Sequence, residues 1–359
     1  MGLNIPKVKT LFEKQLFWPF FALSVLLLFN FIFIKNFFAI EIIDGHLYGS
    51  LIDILNRATP LMFMAIGMTL VIATGGIDIS VGSVLAISGS IASIMIGGDM
   101  VFINGQQQYV AHYPMIVAIL VALSVSVVCG IWNGLLIAKL GIQAMVATLI
   151  LLVAGRGIAQ LIVDGNVITV YFKPFFYIGG GFLLGLPFSI FLVAIFLGLI
   201  LWLVKKTAFG LFVESIGSNL LASRFTGLKV QKMVWACYAI SGLCAGIAGI
   251  IVASEVKSAD ANNAGLFIEL DAILSVVLGG NSMAGGRFSV IGSVIGALVV
   301  QTLTTTIYAI GVPPEVTMVV KALVVVAIYL IQSQAAKTKG RMPHTTQISE
   351  VMTAKEGQA

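Results

Sequence analysis

Charge is what this chain has least of. Only 10% of its 359 residues are Asp, Glu, Lys or Arg, and 59% are hydrophobic. A soluble domain carries roughly 25% charged residues. So few ionic groups cannot clothe a water-facing surface, which excludes an ordinary soluble domain and leaves a polytopic membrane protein. Histidine and cysteine are nearly as scarce. His46, His112 and His344 lie far apart, and Cys129, Cys237 and Cys244 sit in apolar stretches. Neither set has metal-ligand spacing, and the cysteines form no disulfide framework, so they read as small packing residues. A Ser-His-Asp set, HExxH, CxxC and the phosphate loop G-x-x-x-x-G-K-S/T are all missing. No metal, cofactor or catalytic role is therefore expected, and any ATP-driven step needs a nucleotide site on a partner. The net charge of +5 does not point to nucleic acid, because the basic residues cluster mainly at segment ends.

Long apolar runs fill the space the charges leave. They predict about ten spans at roughly 20 residues each. The runs cover about 16–34, 52–73, 80–98, 114–138, 143–163, 187–204, 233–254, 268–280, 288–310 and 316–333. The first follows Lys7, Lys9 and Lys14, as in a signal peptide, but it is as long as a full span and no small-x-small cleavage site follows. It reads as a retained helix.

Counting basic residues sets the orientation. With the N-terminus inside, one set of loops and ends holds fourteen: Lys7, Lys9, Lys14, Lys139, Lys205, Lys206, Arg224, Lys229, Lys232, Arg287, Lys337, Lys339, Arg341 and Lys355. The opposite set holds three, Lys35, Lys173 and Lys257. That asymmetry predicts N-in, C-in and an even number of spans. The expected fold is an all-α polytopic membrane protein with two glycine-broken segments. Residues 1–15 form a cytoplasmic N-terminus, 16–333 the transmembrane domain and 334–359 a cytoplasmic tail.

The breaks are Val71-Ile-Ala-Thr-Gly-Gly-Ile-Asp-Ile-Ser-Val-Gly-Ser83 and Leu278-Gly-Gly-Asn-Ser-Met-Ala-Gly-Gly-Arg-Phe-Ser-Val-Ile-Gly-Ser293. Paired glycines interrupt an apolar run, a polar residue turns the chain, and the run resumes. Discontinuous membrane helices of this kind surround transport paths. The two breaks share a pattern and fall toward the same side, as a partial parallel repeat. Asp78, in the first break, is expected to cap the next helix. The stretch 207–230 is too polar to span. Its helix formers from Asn219 to Phe225, flanked by Gly217 and Gly227, fit either a short docking helix or a solvated loop.

Three blocks carry a family resemblance: Gly67-Met-Thr-Leu-Val-Ile-Ala-Thr-Gly-Gly-Ile-Asp-Ile-Ser-Val-Gly82, Gly217-Ser-Asn-Leu-Leu-Ala-Ser-Arg-Phe-Thr-Gly-Leu-Lys-Val230, and Gly279 to Gly286. Over nearly its whole length the chain resembles the inner-membrane permeases of ribose-type ABC sugar importers. Ile52-Asp-Ile-Leu-Asn-Arg57, Val153-Ala-Gly-Arg-Gly157 and Ser258-Ala-Asp-Ala-Asn-Asn-Ala-Gly265 are most similar to the galactofuranose permeases of that family. The resemblance implies import of a monosaccharide, galactofuranose or a related furanose or pentose such as arabinose. It also implies three partners: a cytoplasmic ABC ATPase, a second permease subunit (a paralogue or a second copy) and a periplasmic sugar-binding protein. It implies residence in a bacterial inner membrane. By motif, 207–230 becomes the loop that couples to the ATPase, with Gly217, Asn219, Ala222, Ser223 and Gly227 as its key positions. Where many relatives pair two alanines, this chain has Ala222-Ser223, and serine keeps the position small.

Polar residues inside spans are expensive and suggest function. Asn56, Asn133, Arg156, Gln160 and Asp271 are the candidate path residues, since sugar hydroxyls need both donors and acceptors. Arg57, Glu269 and Asp271 lie near predicted outer ends, where snorkelling or mutual pairing is the competing reading. Asp260, Asn262 and Asn263, in the polar loop after the seventh span, form a candidate outer gate or landing site for the binding protein. A plain hydrated loop is the alternative. An ion-coupled carrier of a small polar solute is the rival function. It would favour carboxylates or histidines deep in the spans, and the runs place none there.

Overall fold

The computed structural model describes residues 16–43, 45–103, 106–313, 316–323 and 326. The expected N-terminus 1–15, the tail 334–359 and most of the run 316–333 lie outside the described residues. Where the chain continues from Pro313 it forms a second unit, in which 316–323 is helical.

A long apolar run with no water available must satisfy its backbone internally, so it coils. The helices are α1 (Phe17–Phe33), α2 (Ser50–Ala73), α3 (Val81–Ile96), α4 (Met115–Ala138), α5 (Ala144–Ile162), α6 (Lys173–Gly180), α7 (Phe188–Lys206), α8 (Ala208–Ser218), α9 (Leu220–Phe225), α10 (Val230–Val256), α11 (Ile268–Leu278) and α12 (Val290–Ala309). Six of them, α2, α4, α5, α7, α10 and α12, are long and apolar enough to cross a membrane. The helix α11 has 11 residues, about 16 Å at 1.5 Å per residue, roughly half of a 30 Å hydrocarbon layer.

Burial sorts the long helices. Most of α2, α10 and α12 is buried, whereas α4, α5 and α7 are apolar and mostly half-buried or exposed. An apolar helix left exposed in this way suits hydrocarbon contact. The inner helices meet through small residues, which let backbones approach where no hydrophobic drive exists between helices in lipid. A Cβ on Gly130 of α4 would overlap the Tyr238 carbonyl of α10, and one on Gly242 would overlap the Ser126 carbonyl of α4. Helix α1 is tied to α12 by Thr306 Oγ1 donating to buried Asn30 Oδ1 at 2.8 Å. Pro60 inside α2 removes an N–H and frees the carbonyl four residues back. Thr59 Oγ1 donates to that carbonyl, Asn56 O, at 2.7 Å, so α2 stays continuous.

The connections are not purely helical, as an all-α reading had them. Four two-stranded antiparallel ladders occur among the described residues. They are β1 (Glu41–Ile43) with β2 (His46–Tyr48), β3 (Gly98–Ile103) with β4 (Gln106–Ala111), β5 (Ile168–Thr169) with β8 (Ser258–Ala259), and β6 (Phe182–Leu183) with β7 (Leu186–Pro187). The polar run expected as a loop after α3 is the β3–β4 hairpin, with 104–105 outside the described residues. The β5–β8 pair matters most, because it ties the segment after α5 to the segment after α10.

Candidate functional site

Two constructions stand out, one at each end of the inner helices. The first gathers the glycine breaks. Helix α2 stops at Ala73 because Gly75 takes φ +82°, and α11 stops at Leu278 because Gly280 takes the same value. Left-handed backbone is nearly free for glycine and costly for other residues. The two breaks then touch. Gly286 N donates to Ala73 O at 3.0 Å, and Gly285 has Gly75 N and the Gly217 Cα at its open face. Gly217, at the end of α8, packs so tightly that a Cβ would overlap both Ala73 O and Gly286 N. Thus the three sequence blocks that carried the resemblance converge on one point. The Arg287–Glu214 ion pair beside it is 3.6 Å long, with Arg287 93% exposed; such a pair contributes little.

Each break has its own polar hub. Asp78 was expected to cap α3; instead it is buried, and the N-cap position is held by Ser80. Asp78 accepts from Ser80 N (3.1 Å) and Ser80 Oγ (2.6 Å), and from Ser241 Oγ of α10 (2.8 Å). Asn133 Nδ2 of α4 donates to Ser80 Oγ at 2.8 Å. The carboxylate therefore pins the break to two helices, and Asn133 belongs to this structural network. In the second break Asn281 plays the matching part. Its Oδ1 accepts from Ser289 N at 2.6 Å and its Nδ2 donates to Ser293 Oγ at 2.8 Å. Ser293 in turn accepts from Thr69 of α2 at 2.6 Å.

The short helix expected from Asn219 to Phe225 forms as α9 (Leu220–Phe225). Asn219 caps α9 by accepting from Ala222 N at 3.0 Å, Ser223 is buried, and Gly227 turns the chain at φ +83°. Ala222 is exposed, between Leu221 at 62% and Phe225 at 90% exposure. These two open apolar side chains make the end of the loop a candidate contact surface. A cleft of about 450 Å³ opens beside them, lined by Gly75, Gly76, Leu140, Leu220, Arg224 and Tyr238 among others. Helix α8, which precedes α9, was not anticipated; its residues were taken with the loop as merely polar.

The second construction lies at the other end. After α10 the chain unwinds at Lys257, φ +60°, and runs without helix from 257 to 267 before α11 begins. This segment dips inward. Gly265 packs on Gly82 O and Leu85 of α3, and Ala261 is buried. Non-helical backbone at such depth is tolerated only inside protein or beside a polar cavity. Helix α5 supplies the missing donors. Arg156 Nη1 donates to Ala261 O at 3.1 Å and to Ala264 O at 2.6 Å. One turn on, Gln160 Nε2 donates to Asn262 Oδ1 at 2.8 Å. Spacing of four residues puts both side chains on one helix face.

Within the loop, Asp260 accepts from Asn262 N (3.0 Å), Asn263 N (3.2 Å) and Asn263 Nδ2 (2.7 Å). Hydrogen bonding from Asn263, helped by the Arg156 charge, holds this carboxyl below its ordinary range, so it is ionised at neutral pH. The order it lends the loop is present above the ordinary carboxylate range and is lost as pH falls through the lowered value. The structure thus brings Arg156, Gln160, Asp260, Asn262 and Asn263 into one cluster. Asn56 is elsewhere, accepting from Ser189 Oγ of α7 and donating to Gly179 O of α6. Asp271 is half-buried on α11.

Glu269, a polar candidate for which snorkelling or pairing near an outer end was the competing reading, is only 7% exposed. Its Oε2 lies over Gly82 and has no hydrogen-bond partner among the described residues. Helix α6 had been read as loop; Pro174 in its first turn was the available signal.

Among the described residues, then, the chain is an apolar helical bundle broken at two glycine pairs, which defines a polytopic membrane transport protein. Residues 50–329 match the family model described as branched-chain amino acid transport system / permease component. The chain belongs to this permease family. It is 46% identical over 327 residues to the galactofuranose transporter permease protein YtfT of Escherichia coli, covering 90% of this chain and 92% of that protein. It is 37% identical to the fructose import permease protein FruF of Bifidobacterium longum, covering 91% and 90%. Identity to the ribose import permease protein RbsC of Haemophilus influenzae is 32%, covering 89% and 94%. No solved structure matches.

Proposed function

We propose that this chain is the membrane-spanning subunit of a binding-protein-dependent ABC importer that carries a monosaccharide across a bacterial inner membrane. Galactofuranose or a related furanose or pentose such as arabinose is the cargo. ATP is hydrolysed on a partner subunit. The observation that carries this reading is the 46% identity, over 90% of the chain, to a galactofuranose transporter permease. The partners are a cytoplasmic ABC ATPase, a second permease subunit and a periplasmic sugar-binding protein. In this reading α9 docks on the ATPase through Ala222 and its exposed apolar neighbours. The glycine junction transmits the motion to α2 and α11. The cluster held by Arg156 and Gln160 forms the outer gate.

Changing Asp260, Asn262 and Asn263 together to alanine is expected to leave membrane abundance unchanged. ATPase stimulation by loaded binding protein should fall about tenfold, equivalent to roughly 1.4 kcal/mol of coupling. Unchanged stimulation and uptake would remove the gate assignment, and a fall in abundance alone would mark the loop as structural.

The bilayer placement has N-in, C-in and about ten spans. A cysteine introduced as Gln107→Cys, in β4, is expected to react with an impermeant maleimide added to intact cells. One introduced as Lys206→Cys, at the end of α7, should react only once the membrane is opened. Labelling of the second in intact cells contradicts the orientation.

A further inference from the structure

Glu269 is the second residue of α11 and lies inside the bundle. The backbone N–H groups of Phe267 and of Glu269 itself serve part of its carboxyl. Its Oε2 nevertheless has no hydrogen-bond partner among the described residues. A buried charge without its partner is strongly destabilising, so a carboxyl kept here points to a partner met in another state. Adjacent residues of α3 show which one. Gly82 has Glu269 Oε2 and Gly265 O side by side against its bare Cα. Ser83, the next residue, donates to Leu151 O of α5 at 3.1 Å and packs on Gly155, which sets Arg156 at the same level. Arg156 and Glu269 are within electrostatic reach of each other. Yet Arg156 uses a single nitrogen, Nη1, to hold Ala261 O and Ala264 O, and the rest of its five-donor fork is not needed for those bonds. Ala264 precedes Gly265, so the carbonyl that Arg156 holds is one peptide, about 3.8 Å of chain, from the one beside Glu269. Asp260, the other acid near Arg156, already accepts three hydrogen bonds from Asn262 and Asn263. The segment these groups surround is strained at both ends. Lys257 (φ +60°) and Phe267 (φ +63°) are left-handed without being glycine, and such backbone persists only where its surroundings hold it.

We propose that Arg156 is a two-position latch and that the Glu269 carboxylate is its second seat. The proposal rests on the importer reading above and on the outer gate within it. With the gate shut, the guanidinium holds the carbonyls of 257–267, as it does here. When that segment withdraws, the guanidinium turns to Glu269, and the strain at Lys257 and Phe267 is released. Each position satisfies what the other leaves bare. Glu269 lacks a partner in the first, and the loop carbonyls turn to water in the second. This brings the two states close in free energy, which a gate needs if a modest input is to move it. Glu269 is thus a positioning residue that acts through Arg156 and makes no contact with sugar. A neutral side chain of the same shape could not serve, because the second seat depends on charge.

The test uses the assembled importer: this chain, its partner permease, the ATPase, and binding protein loaded with galactose or arabinose. Hydrogen exchange of the 257–267 amides is followed at rest and during ATP turnover, beside uptake into proteoliposomes. In the native chain, turnover is expected to speed exchange of these amides about tenfold. Glu269→Gln keeps the shape and removes the charge. Its exchange should stay at the resting rate and its uptake should fall about tenfold. Its thermal midpoint should hold or rise, because an unpaired buried charge is gone. The double variant Arg156→Gln with Glu269→Gln should transport no worse than Arg156→Gln alone, since both changes remove one interaction. Four results each overturn the latch: native exchange that ignores turnover, native-like exchange in Glu269→Gln, a lowered midpoint in Glu269→Gln, or losses that multiply in the double variant. The importer reading fails separately, if the native chain transports sugar beside an ATPase that cannot hydrolyse ATP.

Discussion

Ala222→Glu is expected to abolish ATP-driven uptake, by about a hundredfold or roughly 2.7 kcal/mol of lost coupling, with the chain still in the membrane at normal abundance. The position makes the result interpretable. Asn219 is the N-cap of α9 and Ala222 is its third helical residue, where glutamate is favoured because it meets the positive end of the helix dipole. The helix itself should therefore tolerate or gain from the change. What it cannot tolerate is contact with an apolar groove, since burying an unpaired carboxylate costs several kcal/mol. Ala222 is exposed between Leu221 and Phe225, so the cost falls entirely on the partner contact. Ala222→Ser, which keeps the residue small, should transport normally. Uptake and co-purification of the ATPase subunit, measured together, decide it. Full uptake with glutamate at this position ends the docking role of α9.

The second large effect belongs to Gly217→Ala. Its φ is not left-handed, so strain is not the reason. The added Cβ would overlap Ala73 O and Gly286 N, the two atoms joined by the hydrogen bond that links the breaks. Both are backbone atoms, with no flexible side chain to yield. Overpacking of this kind costs typically 1–3 kcal/mol, and here it separates α8 from the ends of α2 and α11. Uptake should fall at least about tenfold, with a lowered thermal midpoint for the purified chain. Gly165→Ala, outside the coupling loop, is the control. Its Cβ meets nothing within 4 Å but its φ is +71°, so it should cost only about 1–2 kcal/mol of local strain and leave the junction intact. Equal behaviour of the two variants would mean that the junction transmits nothing.

How far the sequence foretold this depends on the range of the interaction. Local signals worked. Asn219 to Phe225 between two glycines yields α9, and the paired glycines end α2 and α11 where the apolar runs break. Long-range pairings left no trace in one chain. Nothing in the composition says that Ala73 O receives Gly286 N, or that Asp78 spends its lone pairs on Ser80 and Ser241 rather than on the first turn of α3. Proximity to a segment end suggested that Glu269 would reach water. The unwound 257–267 segment instead carries the following helix inward and buries it. Asp260, Asn262 and Asn263 were conspicuous by their polarity in an apolar chain, and the structure gathers them in one loop. Arg156 and Gln160, read as candidate path residues, donate to backbone carbonyl and amide oxygens of that loop, a pairing that no local pattern announces. The serines of α3 look alike in sequence, yet Ser83 and Ser88 find carbonyl partners while the Ser90 and Ser93 hydroxyls have none among the described residues. Only the fold tells them apart.

The central claim is that transport through this chain is driven by a partner's ATP hydrolysis. The chain, its partner permease and the ATPase, reconstituted with loaded binding protein and no ion gradient, are expected to accumulate sugar with ATP inside. Accumulation should stop when vanadate is added or the ATPase carries an inactivating substitution. Uptake that persists under both conditions and follows an imposed proton or sodium gradient would contradict the account and make the chain an ion-coupled carrier.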